Sequence, residues 1–390
     1  VKVLQLVPAL NEGGVERGTL EIGRYLVEQG HEALVISHGG RLVPALEAAG
    51  VRHLTLPVHR KGPGGLLLLP RLRRLLRTEK PDILHLRSRW PAWLGWLAWR
   101  SLPAPQRPRL VTTVHGFYTV NPYSAIMTRG ERVIAVSQSI RDYILQHYPR
   151  TDPARIRVIP RGISPAEFPR GYQPDAAWRE QWQRDFPNLV GRRLLTLPGR
   201  VTRLKGHEDF LQLLARLRGE TAPVAGLILG GASPGKEKYL RCLHALVARL
   251  GLEGSVFFLG HRSDVREILA ISDVVFSLSN RPESFGRTTL EALALGRPVI
   301  GYDHGGVGEQ LRALFPEGAV PPGDIETAAQ LTRKFLLAPP EPRPIVPPFT
   351  LEAMCRSTLA VYEELTGERG ARRSEVPRPP AESPVDPQRH

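Results

Sequence analysis

Three short segments of this chain carry charged side chains and glycine turns at spacings that can do chemistry. Pro282-Glu283-Ser284-Phe285-Gly286-Arg287 follows a run of strand-forming residues, Val274–Leu278, and leads into a helical pattern over Thr288–Leu295. Free amides in such a turn, backed by the positive end of the helix dipole, stabilise phosphate oxygens. Glu283, just before them, can accept hydrogen bonds from sugar hydroxyls. Glu291 lies eight residues further on. Eight residues of helix turn through about 800°, so the two carboxylates can serve one ligand only if Glu283 lies in the loop. The second segment, Leu197-Pro198-Gly199-Arg200-Val201-Thr202-Arg203-Leu204-Lys205-Gly206, carries Arg200 and Lys205 away from a strand. Two cations there would neutralise a diphosphate leaving group. The third, Asn11-Glu12-Gly13-Gly14-Val15-Glu16-Arg17, places a glycine pair at a strand-to-helix turn, where amides can approach an anion closely. Each segment alone is as readily a tight turn or a solvated charge. Together they converge on one anion.

The elements that must hold these segments repeat twice. Strand-type runs at Lys2–Val7, Ala33–Ser37, Arg52–Pro57, Ile83–Leu86, Leu110–Val114, Val133–Ser137 and Ile156–Pro160 alternate with helical patterns, which predicts a doubly wound parallel sheet. After an irregular stretch, 165–193, the pattern restarts at Leu194–Leu197, Val224–Leu229, Val256–Leu259, Val274–Leu278, Pro298–Tyr302 and Ala319–Pro321. Gly30, Gly50 and Gly296 each close a helical pattern. Ligands of open α/β sheets sit at the carboxyl ends of the strands, so two such domains facing each other place a site between them. The predicted division is 1–168, 169–345, a docking helix within 346–367 that Gly367 stops, and a proline-rich, disordered tail at 368–390.

A length of 390 residues at 42% hydrophobic suits two cores. Cys242 and Cys355 stand far apart without metal-type spacing, which points to a reducing compartment. No signal-peptide pattern opens the chain and no apolar run approaches the roughly 20 residues of a spanning helix. The net charge of +15 is concentrated: positions 60–109 hold twelve Lys or Arg against Glu79 and Asp82. Such an excess attracts anionic lipid, phosphorylated glycan or nucleic acid. Leu72, Leu75 and Leu76 among Arg71, Arg73, Arg74 and Arg77 predict a basic amphipathic surface helix. Four tryptophans, Trp90, Trp93, Trp96 and Trp99, follow at three-residue steps, which drift around a helix, so core packing is expected for most of them.

With these elements placed, nearly the whole folded chain resembles glycosyltransferase family 4. The most specific match is a pair of glutamates with seven residues between them, Glu283-Ser284-Phe285-Gly286-Arg287-Thr288-Thr289-Leu290-Glu291, followed by Ala292-Leu293-Ala294-Leu295-Gly296-Arg297-Pro298-Val299-Ile300. Gly199-Arg200 with Lys205-Gly206, Phe258-Leu259-Gly260, Gly13-Gly14 and Thr113-Val114-His115-Gly116 match as well. The resemblance implies the GT-B fold, two Rossmann-like domains facing a central cleft. It also implies a retaining hexosyltransferase acting on a nucleotide diphosphate sugar, a UDP-sugar ahead of a GDP- or ADP-sugar. In its terms Arg200 and Lys205 bind the donor diphosphate, Glu283 the sugar hydroxyls and Glu291 the ribose. The amides of Phe285 and Gly286, with Gly13 and Gly14 across the cleft, complete the phosphate cradle. His261 and Arg262 fall beside the nucleobase, and His115 near the donor sugar and the reacting centre.

The leaving phosphate would itself accept the acceptor's proton, so no carboxylate nucleophile is required. Fixed cations would replace a metal, and no metal or cofactor is expected. The implied acceptor is a glycan or lipid-linked molecule of lipopolysaccharide or envelope polysaccharide synthesis. The implied place is the cytoplasm, peripheral on the anionic inner face of the plasma membrane. A sugar-nucleotide epimerase or a phosphorylase shares the architecture, although no pyridoxal phosphate lysine is evident. A nucleic-acid-binding reading rests on charge alone and leaves the two glutamates unexplained, so no nucleic acid is expected as a partner. One departure stands out. Many members read Pro-Asn-Gly-Ile-Asp where this chain reads Pro160-Arg161-Gly162-Ile163-Ser164.

Overall fold

The computed structural model describes residues 1–11, 13–219, 223–232 and 237–374, the last seven as backbone only. The first sheet is built from β1 (Lys2–Leu6), β2 (Glu32–Ser37), β3 (Arg52–Thr55), β4 (Ile83–Leu86), β5 (Arg109–Val114), β6 (Arg132–Ala135) and β7 (Ile156–Val158). The second takes β8 (Arg193–Pro198), β9 (Val224–Leu229), β10 (Val256–Gly260), β11 (Val274–Ser277), β12 (Val299–Tyr302) and β13 (Ala319–Val320). Every pairing within both sheets is parallel, with register such as Val3 opposite Ile83 and Val274 opposite Leu195. Parallel strands are covered on both faces, which is why Leu34-Val35-Ile36 and Val274-Val275-Phe276 are apolar without alternation and fully buried.

The strand orders are β3-β2-β1-β4-β5-β6-β7 and β10-β9-β8-β11-β12-β13. Each order reverses once, between β1 and β4 and between β8 and β11. Ligand crevices of doubly wound sheets open at such reversals. The loops leaving those four strands carry Gly13-Gly14, Arg87, Arg200 to Lys205 and Ser279 to Gly286. His115 leaves β5, next to β4.

The chain crosses between the domains twice, and the crossings pair with each other. Ile163 N donates to Phe349 O at 3.0 Å and Leu351 N to Ile163 O at 2.8 Å. The terminal helix, Leu351–Ser374, returns to the first domain, burying Met354, Cys355, Leu359, Val361, Tyr362 and Leu365 in a cluster with Val3, Ile22, Leu26 and Ile83. Arg132 and Arg157 both reach Glu364, at 2.8 and 2.7 Å.

Two expectations change. The terminal helix does not stop at Gly367 but runs to Ser374, because a glycine costs only about 1 kcal/mol in a helix and Gly367 and Gly370 stand among good helix formers, Glu368, Arg369, Ala371, Arg372 and Arg373. Of the tail predicted at 368–390, residues 375–390 lie outside the described residues. The stretch 165–193 contains a helix, Ala176–Asp185, started by Asp175 accepting from Trp178 N at 2.7 Å. Trp178, Trp182 and Phe186 stack along it at i, i+4 spacing, with centroids 5.2 and 4.5 Å apart. The helix Leu69–Glu79 is basic and amphipathic as expected, with Leu72 and Leu76 buried in the first core and Arg71, Arg73, Arg74 and Arg77 exposed.

The four tryptophans pack half-buried against the first core. Three of their indole N–H groups find backbone acceptors: Trp90 on Arg60 O at 2.5 Å, Trp93 on Tyr123 O at 2.9 Å and Trp99 on Pro108 O at 2.7 Å. Among the described residues no helix is long and apolar enough to cross a membrane.

Candidate active site

The loop after β8 makes one helical turn, Arg203–Lys205, and ends on Gly206. Gly206 adopts φ +71°, and a Cβ there would lie 1.8 Å from Leu278 O. Only glycine therefore lets this loop press against the end of β11. The consequence is direct contact between the two cleft segments: Lys205 Nζ lies 2.8 Å from Glu283 Oε1. The Ser279 hydroxyl donates to the same oxygen, and His304 Nε2 sits 2.8 Å from Ser279 O. Burial pushes the Glu283 carboxyl up, but Lys205, Ser279 and His304 together outweigh it and hold it below the usual carboxylate range.

Glu283 lies in the loop, ahead of the helix Arg287–Ala294, whose N-cap is Gly286. The loop is clamped from behind: Gly306 N donates to Glu283 O at 2.8 Å, and the Gln310 amide donates to Phe285 O at 2.5 Å. Among the described residues the amides of Phe285 and Gly286 have no acceptor, so two N–H groups at a helix start remain open to an anion. Arg200 is exposed and has no bonding partner among the described residues. Across the cleft the helix Gly14–Glu28 begins at Gly13, and nothing lies within 4 Å of where a Gly14 Cβ would be.

Glu291 belongs to a second group that joins the domains. It is buried and meets Arg287 Nε at 3.4 Å, while Arg287 Nη2 reaches Glu21 of the first domain at 2.5 Å. Arg17 also bonds Glu21, at 3.2 Å. Burial pushes the Glu291 carboxyl above its usual value, against the pull of Arg287 and Arg17. Buried atoms here lack hydrogen-bond partners, among them Glu21 Oε2 and Arg287 Nε and Nη1. Orphans of this kind concentrate where a ligand or water completes the network.

His115 forms a third group with Arg161, whose Nη2 lies 2.5 Å from His115 Nδ1. His115 Nε2 is buried without a partner. Burial, then Arg161, Arg87 and His85, push its pKa well below the usual histidine value. The last pair of predicted residues is split. Arg262 forks onto Asp264 at 2.8 and 2.6 Å and lies over the Trp182 ring, so its side chain is held within its own domain. His261 beside it is exposed.

Ser279, His304, Gln310, Glu21 and Arg87 escape the sequence reading, and Arg161, noted there as a departure, was given no role. Two signals could have found some of them. Arg87 stands immediately after an apolar parallel strand, and Arg161 stands where the family pattern has another residue. Among the described residues no three His, Cys, Asp or Glu side chains gather as a metal site.

Two family models cover most of the chain, Glycosyltransferase Family 4 over residues 12–167 and Glycosyl transferases group 1 over 179–346. A crystal structure of a glycosyltransferase from Rickettsia africae ESF-5 is 30% identical, with TM-score 0.81 over 94% of this chain and 98% of that one. N-acetyl-alpha-D-glucosaminyl L-malate synthase of Bacillus anthracis is 29% identical over 320 residues, 78% of this chain and 79% of the relative. Anabaena HepE in complex with UDP-glucose shares the fold at 20% identity, TM-score 0.71, over 95% of this chain and 99% of that one. Two parallel-sheet domains with their order reversals facing one cleft, and these matches along both, make this chain a GT-B glycosyltransferase belonging to glycosyltransferase family 4.

Proposed function

We propose that the enzyme transfers a hexose-type sugar, with retention, from a nucleotide diphosphate sugar, first among them a UDP-sugar, to a glycan or glycolipid acceptor of envelope synthesis. The observation that carries this reading is the Lys205–Glu283 contact beside the open amides of Phe285 and Gly286. An ammonium has three donors, so Lys205 can hold the Glu283 carboxylate with one and a donor diphosphate with the others. The bond from the sugar C1 to the phosphate oxygen breaks, and the acceptor oxygen bonds C1 on the same face. The acceptor's proton passes to an oxygen of the departing diphosphate. Arg200, Lys205 and the two amides meet the charge that develops there, and fixed donors of this kind are worth about 2.7–4 kcal/mol each. No metal is required in this scheme. Glu283, held ionised, accepts from the sugar hydroxyls, and Glu291 from the ribose. HepE bound to UDP-glucose and a relative acting with a small acid acceptor support a nucleotide sugar donor and a polar acceptor.

The enzyme would work in the cytoplasm, on the anionic inner face of the plasma membrane. A groove of about 640 Å³ between the helices Leu69–Glu79 and Arg89–Arg100 is lined by Arg73, Arg74 and Arg77. Leu66 and Leu67 are exposed just before it, which supports a lipid-facing role.

Release of nucleoside diphosphate from UDP-, GDP- and ADP-sugars, with and without membrane glycolipid extract, tests the function in wild type and Glu283→Ala. Release with one donor, raised by extract and lowered roughly 100-fold or more in the variant, is the expected result. Conversion of donor without release would instead indicate an epimerase, and no turnover or binding of any donor would sink the proposal.

A further inference from the structure

We infer that Arg161 is a positioning residue: its guanidinium fixes the His115 imidazole as the Nε2–H tautomer, so that His115 donates a hydrogen bond to an oxygen of the bound sugar. The inference rests on the transfer reading above, but its first test needs no turnover.

Two segments meet to make the contact. His115 leaves β5, and Arg161 follows β7 where the chain crosses to the second domain. A guanidinium carries only donors and remains protonated in proteins. Its Nη2 at 2.5 Å from His115 Nδ1 therefore requires a lone pair on Nδ1. The ring proton must then sit on Nε2, the nitrogen that is buried without a partner. The residue this chain departs from, Asn, has an amide that both donates and accepts and so leaves either tautomer open.

The guanidinium is locked in place. A Cβ on Gly18 would lie 2.6 Å from Arg161 Nη1 and 3.1 Å from Arg87 Nη2, so the bare face of the first-domain helix makes room for two cations side by side. Met354 of the terminal helix closes the other side, its Sδ 3.8 Å from Arg161 Nη1. Among the described residues no carboxylate forms an ion pair with Arg161. Burial and Arg87 push its guanidinium down to about 9, opposed by Glu21, which leaves it charged at neutral pH. The groups around His115 all disfavour an imidazolium: Arg161 from the crossing, Arg87 from the loop after β4 and His85 from β4. Tyr118, from its own loop, takes the His115 backbone N–H at 3.2 Å. A neutral donor suits an oxygen of a sugar, and a ring whose Nε2 already holds a proton cannot take another from the acceptor hydroxyl there.

The first experiment is a 15N spectrum of the full chain labelled at histidine, with His115 assigned by its loss in His115→Gln. The expected signal is an Nε2–H tautomer that stays neutral from pH 7.5 to about 5.5. Arg161→Asn should mix the tautomers and lower kcat about 10- to 100-fold while donor KM moves less than about threefold. Arg161→Lys, a donor-only cation, should restore part of the rate. In the His115→Ala background, Arg161→Asn should cost little more. An Nδ1–H tautomer in the wild type overturns the inference, as does an Arg161→Asn loss that adds in full to that of His115→Ala. The wild-type spectrum decides even if Arg161→Asn does not fold, and failure of every donor in the turnover panel would leave that spectrum unaffected.

Discussion

At the scale of single residues, the site is governed by how few partners each charge has. Glu283 is half-buried yet ionised because Lys205 and Ser279 both serve one of its oxygens. Its folded-state value is depressed, so its ionised contribution holds above the ordinary glutamate value of 4.5 and is lost only as pH falls through the lower one. Lys205→Met removes the largest of the influences that oppose burial. Donor affinity measured by calorimetry from pH 4 to 8 should then weaken at all pH values, and its acid limb should move upward. A limb that stays where the wild type has it would separate Lys205 from the protonation state of Glu283.

Among elements, the contacts that matter join helices across the cleft. Ser137 caps the helix Gln138–His147 from its own domain through Ile140 N at 3.2 Å. Glu309 of the second-domain helix Gly305–Leu314 completes that cap, accepting from Gln138 N at 2.9 Å, Ser139 N at 2.7 Å and Ser139 Oγ at 2.5 Å. A carboxylate at a helix start is stabilised by free amides and the dipole, and losing such a cap costs about 0.5–2 kcal/mol. Here the cost falls on closure, because cap and capped helix belong to different domains. Glu309→Ala should leave thermal unfolding nearly unchanged, enlarge the radius of gyration in X-ray scattering and raise donor KM by about 5- to 30-fold. Unchanged scattering with a large loss of stability would show that Glu309 serves the fold and not the closure.

For the whole molecule, burial of neutral histidines and the uneven charge have separate consequences. His85 lies between Tyr362 at 2.7 Å and Thr113 at 2.6 Å, and its pKa, like that of His115, is pushed well below 6.5. Burial also takes His207 down to about 4. The unfolded chain binds these protons first, so stability should fall as pH drops from 6.5 toward 4, by about 1.4 kcal/mol per pH unit for each neutral histidine. Thermal midpoints from pH 7.5 to 5.5 should decline accordingly, and a flat profile would contradict the buried neutral rings. The basic face makes a different demand. The protein should sediment with vesicles containing anionic lipid, weakly with zwitterionic ones, and less as salt rises. Reversal of Arg73, Arg74 and Arg77 to Glu should abolish sedimentation without lowering turnover of a soluble acceptor.

The alternation of apolar strands and helical patterns was enough to determine two parallel-sheet domains, because strands covered on both faces must be apolar throughout. Glycines and charges at strand ends were enough to mark Gly13-Gly14, Arg200, Lys205 and Glu283 to Glu291, because anion chemistry needs open amides and cations at those points. The stop at Gly367 and the irregular 165–193 were misread, since a glycine costs a helix only about 1 kcal/mol and need not end it, and i, i+4 aromatics hide among charges. What only the tertiary structure decided was which side chains face each other. Lys205 meets Glu283 because Gly206 tucks against Leu278 O. Arg287 joins Glu291 to Glu21 across two domains, and Arg161 reaches His115 from 46 residues away. Such pairs depend on loops brought together by two separately folded sheets, and no local spacing encodes that meeting.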